Sequence, residues 1–311
     1  MLDYRSSPVT AALCGAVALL SLAGMVSTGA HEALALILGN TFGTKLYVAN
    51  GFTASVYEPC VPKLAVTLWA LATGGPVVER AYGTEKFAVY CAATLASAGV
   101  CTGAAQFLTF VLTRGEGVLF EARYGGGAVL ALVAVGLKHV APDRRAVPGA
   151  PLAASAVPGL LAAYGVAAWA FDVPYCARDA GLALYGVLFS WAWLRFCMPN
   201  AGGDGEAGGD LDPDMAFETL LPRPCRPFAR PVADFAYGLA SLCGAHRHRA
   251  ARVASRAAAA AAGAKPQSAS VNLLAPPVAP PPDPIADRRK QRALKILSDK
   301  LNKVTARTMV V

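Results

Sequence analysis

Six apolar stretches, each close to the length that crosses a bilayer as a helix, occupy the first two thirds of this 311-residue chain. They run over about residues 8–30, 61–78, 87–113, 125–137, 152–171 and 180–198, separated by charged or turn-forming breaks. A hydrocarbon core of about 30 Å needs about 20 helical residues at about 1.5 Å each. The fourth stretch is short and has to continue to Val140 or lean on its neighbours. Charge falls off in the same region: residues 1–198 carry 12 Lys/Arg and 10 Asp/Glu, while residues 199–311 carry 16 and 10. With 15% charged residues overall against about 25% in soluble domains, a free-standing soluble enzyme is excluded. The pattern predicts an all-α, polytopic membrane domain over 1–198, a cytosolic linker over 199–284, and a C-terminal amphipathic helix over 285–311.

Basic residues orient the chain with its N-terminus inside. The inside loops then hold Arg80, Lys86, Lys138, Arg144 and Arg145. The outside loops balance Lys45, Arg114, Arg123 and Arg178 against acidic residues that include Glu58 and Asp179. The competing reading of the first stretch, a cleaved secretory leader, suits its length and weakly charged start less well. Helices in lipid associate through close backbone contact, which small residues permit. Gly99 and Gly103 on the third stretch, Gly127 on the fourth and Gly186 on the sixth are the predicted packing positions. No charge falls at the middle of a stretch, which disfavours an ion-coupled pathway. Homo-oligomerisation through such faces is compatible with the sequence.

The turn between the second and third stretches reads VVERAYGTEK, residues 77–86. Glu79, Tyr82, Gly83 and Glu85 form its motif, with Gly83 suited to a positive φ. With no nucleophile, metal ligand or second base nearby, this is a solvated turn in which Glu79 pairs with Arg80 and Lys86 at the headgroups. The same residues, an acid and an aromatic before Gly-x-Glu within a six-helix unit, resemble the rhomboid superfamily. The resemblance narrows to the eukaryotic Golgi rhomboid-like family known as transmembrane protein 115. It is carried further by LYGVLFSWAWLRF at 184–196, by Ala216, Phe217, Leu221 and Pro222, and above all by DRRKQRALKILSDKLNKV at 287–304. It covers about residues 55–304.

An active rhomboid protease needs a serine in Gly-x-Ser-Gly opening the fourth helix and a histidine on the sixth. Serine is a poor nucleophile until a base takes its proton, and the oxyanion needs donors. Here the fourth stretch opens with Gly125, Gly126, Gly127 and Ala128, and none of the four histidines lies in the sixth. No catalytic residue is therefore assigned. His246 and His248 are too close and too basic a setting for a metal, so no metal or cofactor is expected. Cys60 and Cys176 both fall in outside loops, where a disulfide is conceivable.

In the tail, residues 215–243 read as a surface-lying segment, with Phe228, Phe235, Tyr237 and Leu239 as apolar contacts. The basic run 246–256 would attract anionic lipid, and a membrane anchor makes nucleic acid an unsuitable partner. A polyproline stretch follows at 276–284. Leu294, Leu297, Leu301 and Val304 then recur at helical spacing, the pattern of a partner-docking helix.

The resemblance implies a non-catalytic protein of the Golgi membrane that supports retrograde transport to the endoplasmic reticulum. It also implies the conserved oligomeric Golgi tethering complex as partner, beside membrane lipids. The alternatives from the residues are a protease with an atypical nucleophile such as Ser190, and a lipid or small-solute transporter.

Overall fold

The computed structural model describes residues 7–43, 45–146, 152–171, 173, 176–198 and 215–221. Among these residues there is no β-strand, and the six expected apolar stretches are six helices. They are α1 (Pro8–Val26), α4 (Val61–Tyr82), α5 (Thr84–Thr113), α7 (Gly127–Val140), α8 (Val157–Ala170) and α9 (Ala177–Ala192). Three short helices lie between them: α2 (Thr28–Leu34), α3 (Asn50–Thr53) and α6 (Gly117–Phe120). By length and composition α1, α4, α5, and α9 with the π-turn Trp193–Cys197 that extends it, can each cross a membrane. The long helices pack against one another as a bundle. The helices α4, α7 and α9 begin at one end of this bundle, called the head, and α1, α5 and α8 begin at the other, the base.

Local chemistry sets the boundaries. The first helix stops at Val26 rather than near residue 30, because Ser27 turns extended and its Oγ accepts from Ala30 N at 3.3 Å, capping α2. The helix α4 runs past the expected stop at Val78 to Tyr82, carrying Pro76 inside it. Gly83, at φ 82°, then joins α4 to α5, accepting from Phe87 N and donating to Glu79 O.

The core lies around α7. All of its 14 residues except Leu130 and Leu137 are buried. It has no polar face to give to water, as expected of a helix packed on every side. At about 1.5 Å per residue it is about 21 Å long, too short to span a 30 Å core unaided. The helices α4 and α9 flank it through glycine contacts. A Cβ on Gly186 would lie 2.8 Å from Ala128 Cα, and one on Gly74 2.5 Å from Val133. Side chains such as Leu19, Leu22, Val100, Phe107, Leu108, Val166 and Trp169 stay exposed around the outside, where an integral membrane protein meets lipid.

The connection from α1 to α4 folds as a cap. Leu36 and Arg123 exchange two backbone hydrogen bonds at 2.9 Å, and Thr41 Oγ1 donates to Asn50 Oδ1. Buried Ala35, Ile37, Tyr57 and Tyr124 give this cap its own small core. Gly99 serves it directly. A Cβ on Gly99 would fall 1.5 Å from the Gly51 carbonyl oxygen, so α5 there packs against backbone of the cap rather than against another long helix. Gly103 is looser, with Leu36 and Leu38 at 3.5 and 3.7 Å.

These two glycines should part company on substitution. Gly99→Ala forces the α3 backbone off α5 and should cost about 1–3 kcal/mol. Gly103→Ala should be neutral or stabilising by up to about 1 kcal/mol, since it removes a helical glycine and its Cβ would meet Leu36 and Leu38 only at ordinary contact distance. Thermal unfolding of both variants in detergent reads the difference.

Candidate functional site

The helices α4, α7 and α9 leave their N-terminal N–H groups at the head, where a helix end carries partial positive charge. Two carboxylates meet them there. Glu58 Oε2 accepts from Gly126 N at 3.2 Å, and its Oε1 from Cys60 N at 3.1 Å, just before α4. Asp179, in the first turn of α9, accepts from Gly127 N at 2.9 Å. Lys63, in the first turn of α4, bridges the pair, 3.4 Å from Glu58 Oε2 and 3.0 Å from Asp179 Oδ2. Both carboxylates are 1% exposed. One ammonium and the positive ends of the helices thus face the two carboxyl groups.

Three consecutive glycines allow this approach. A Cβ on Gly125, which has φ 151°, would lie 2.2 Å from Asp179 Oδ1. One on Gly126 would lie 2.3 Å from Thr67 Oγ1, and one on Gly127 2.5 Å from Asp179 Oδ1. Thr67 Oγ1 is buried without a hydrogen-bond partner among the described residues. Above the cluster sit residues adjacent to it in sequence. The rings of His31, Tyr57 and Tyr124 pack at 5.4–5.6 Å, His31 Nδ1 lies 2.7 Å from Tyr57 Oη, and Arg178 donates to Tyr124 Oη at 2.5 Å. This roof keeps water from the carboxylates. Burial pushes the Glu58 carboxyl above its usual range, although the Lys63 charge opposes it, and burial raises the Tyr57 phenol to about 12. Burial, and then the Arg178 charge, hold His31 below the ordinary 6.5 despite Glu32 nearby.

The arrangement holds a helix end and places no serine at the start of α7. The position that a rhomboid protease fills with serine, the third of Gly-x-Ser-Gly, is Gly127, and the α9 side chain facing it is a carboxylate rather than an imidazole. Ser190 is fully buried in the interior. No three metal-ligating side chains come together among the described residues.

The turn motif divides into two environments. The reading of Glu79 as a solvated partner of Arg80 and Lys86 is corrected: Glu79 is 1% exposed and caps α1. Its carboxylate accepts from Val9 N, Thr10 N and Thr10 Oγ1 at 3.0, 2.8 and 2.7 Å. The short reach comes from Gly75, against which Thr10 packs. Tyr82 is also buried, its hydroxyl 2.8 Å from His139 Nδ1 of α7. Gly83, Glu85 and Lys86 are exposed. Gly127 and Gly186 lie on the α7–α9 seam, as described above. Cys60 and Cys176 are free thiols, so the conceivable disulfide is absent. The surface-lying reading of 215–243 is corrected at its start, because Met215 and Leu220 are buried against the bundle. Leu294, Leu297, Leu301 and Val304, like Phe228, Phe235, Tyr237 and Leu239, lie outside the described residues.

Sequence reading missed the Glu58–Lys63–Asp179 cluster, having placed Glu58 and Asp179 among loop charges. The available signal was three charges just before or within the first turns of helices whose middles hold none.

A family model described as "Eukaryotic integral membrane protein (DUF1751)" matches residues 11–303. Transmembrane protein 115 of mouse is 27% identical over 303 residues, which cover 96% of this chain and 80% of that protein. The human protein of that name is 26% identical over the same shares. Rhomboid-like protein 19 of Arabidopsis thaliana is 25% identical over 68% of this chain and 66% of its own length. No solved structure matches.

Three expectations rest on these charges. Lys63→Met strands two buried carboxylates and should cost about 3–5 kcal/mol in unfolding experiments. Glu58→Gln leaves the Lys63–Asp179 pair intact. Because the folded pKa of Glu58 is raised, whatever it contributes is complete below the unfolded value and lost as pH rises through the folded one. At pH 7, then, Glu58→Gln should be neutral or stabilising. His31 has the opposite sign. Its folded pKa is depressed, so its contribution is present above about 6.5 and lost as pH falls through the folded value. The unfolding midpoint should drop on acidification below that point, and His31→Asn should flatten the drop.

Proposed function

Since the chain belongs to the eukaryotic integral membrane family DUF1751, we propose that it is a non-catalytic, rhomboid-like protein of the Golgi membrane that supports retrograde transport to the endoplasmic reticulum. One observation carries the non-catalytic half. At Gly127 the Asp179 carboxylate sits where a serine side chain would have to be, bound to the Gly127 N–H. The resemblance over 287–304 supports the trafficking half, through a cytosolic tail that recruits the conserved oligomeric Golgi tethering complex. The excess of basic residues in the loops at the base and in the tail supports a cytosolic location for both termini. The bundle then sets location, and the tail, with Leu294, Leu297, Leu301 and Val304 on one helical face, makes the contact.

Affinity capture from cells in which the protein is imaged tests this reading. Full-length protein should locate to the Golgi and retain tether subunits, and removal of residues 285–311 should abolish capture while leaving location unchanged. Location elsewhere, or capture that survives the deletion, sinks the proposal. The purified protein in nanodiscs, and its Gly127→Ser variant, should neither cleave rhomboid substrates nor react with fluorophosphonates. Labelling of Ser190 would instead support the protease alternative.

A further inference from the structure

The base end of α7 poses a problem that neither lipid nor the carboxylates solve. The helix is about 21 Å long, and its last residues, Lys138, His139 and Val140, are buried. A lysine ammonium there needs acceptors inside the protein. They come from Met215–Leu221, beyond the last membrane helix. Lys138 Nζ donates to Thr219 O at 2.6 Å and to Thr219 Oγ1 at 2.9 Å. Trp191 Nε1 of α9 donates to Met215 O at 2.7 Å. Met215 and Leu220 are buried, and the Phe217 ring meets Trp191 edge-on at 5.2 Å. The two donors sit on rigid helices and address main-chain carbonyls, while the side chains between fill apolar space. Peptide-binding grooves divide affinity and specificity in this way.

We infer that the base ends of α7 and α9 form a docking site for a short apolar peptide segment, and that Met215–Leu221 is its resident, releasable occupant. Release follows from the sizes of the opposing terms. Seven residues are immobilised and the apolar burial comes from Met215, Phe217 and Leu220, so the cost of ordering them is of the same order as that gain. Every residue beyond 221 is joined to the bundle through this segment, so occupancy of the seat couples the tail to the end of α7. The inference does not rest on the trafficking role.

Amide hydrogen exchange on the full chain in lipid nanodiscs tests it. In the unaltered protein, residues 215–221 should exchange more slowly than the same sequence as a free peptide, yet faster than the middle of α7. Trp191→Phe keeps the ring and removes the donor. It should speed exchange in 215–221 and in 138–141 by up to about tenfold, leaving the start of α9 unchanged. Leu220→Asp should empty the seat, and a synthetic peptide of residues 213–223 should then restore slow exchange at 138–141 where a scrambled peptide does not. The inference is overturned if 215–221 in the unaltered protein exchanges like the free peptide or as slowly as the middle of α7. It is equally overturned if the last turn of α7 ignores both substitutions, or if the two peptides act alike.

Discussion

Carboxylates bound to helix N-termini hold this molecule together. In a bilayer the first N–H groups of each helix cannot be left to solvent, and an unsatisfied one costs several kcal/mol. Short hydroxyl caps serve exposed ends, as Ser27 does for α2. At buried ends the chain uses carboxyl groups: Glu58 and Asp179 at the head, Glu79 at the base. Each is donated by a different segment from the helix it serves. Cap and tertiary contact are therefore the same bond, and breaking one unsatisfies a backbone and separates two helices together.

The central helix shows why this device is needed. With both ends short of the membrane surfaces, α7 relies on protein for its solvent. Carboxylates meet its positive end, and its last turn meets Tyr82 from one side and Met215–Leu221 from the other. A packed interior of this kind leaves little room for a side chain to be added, and the glycines along α4, α7 and α9 mark where helices have come as close as backbone allows.

Much of the bundle was legible from the chain. The six apolar stretches become six helices, because a segment of about 20 apolar residues has few alternatives in lipid. Ends were read less well. Val78 looked like a stop because Glu79 and Arg80 follow it, yet α4 continues, since the glutamate finds its donors on α1, some 70 residues away. No local pattern carries a pairing of that separation. Gly99 was legible as a contact residue, but not its partner, which is a carbonyl of the short helix α3 in the cap rather than a second long helix. Lys63 drew no notice as a single charge inside a long apolar run, and its meaning depends on Asp179 arriving from the far end of the domain. The return of Met215–Leu221 was hidden by the Gly- and Asp-rich residues before it, which read as the end of folded structure.

The glycine triplet that opens α7 has a consequence for how this chain can change. Any side chain placed at 127 collides with Asp179, and any change that first removes the carboxylate leaves the Gly127 N–H without its acceptor and Lys63 with Glu58 alone. Each single step toward a hydroxyl nucleophile therefore passes through a damaged protein. Paired replacement at 127 and 179 avoids both penalties, so the two positions are tied to each other while the bundle is freer to vary elsewhere.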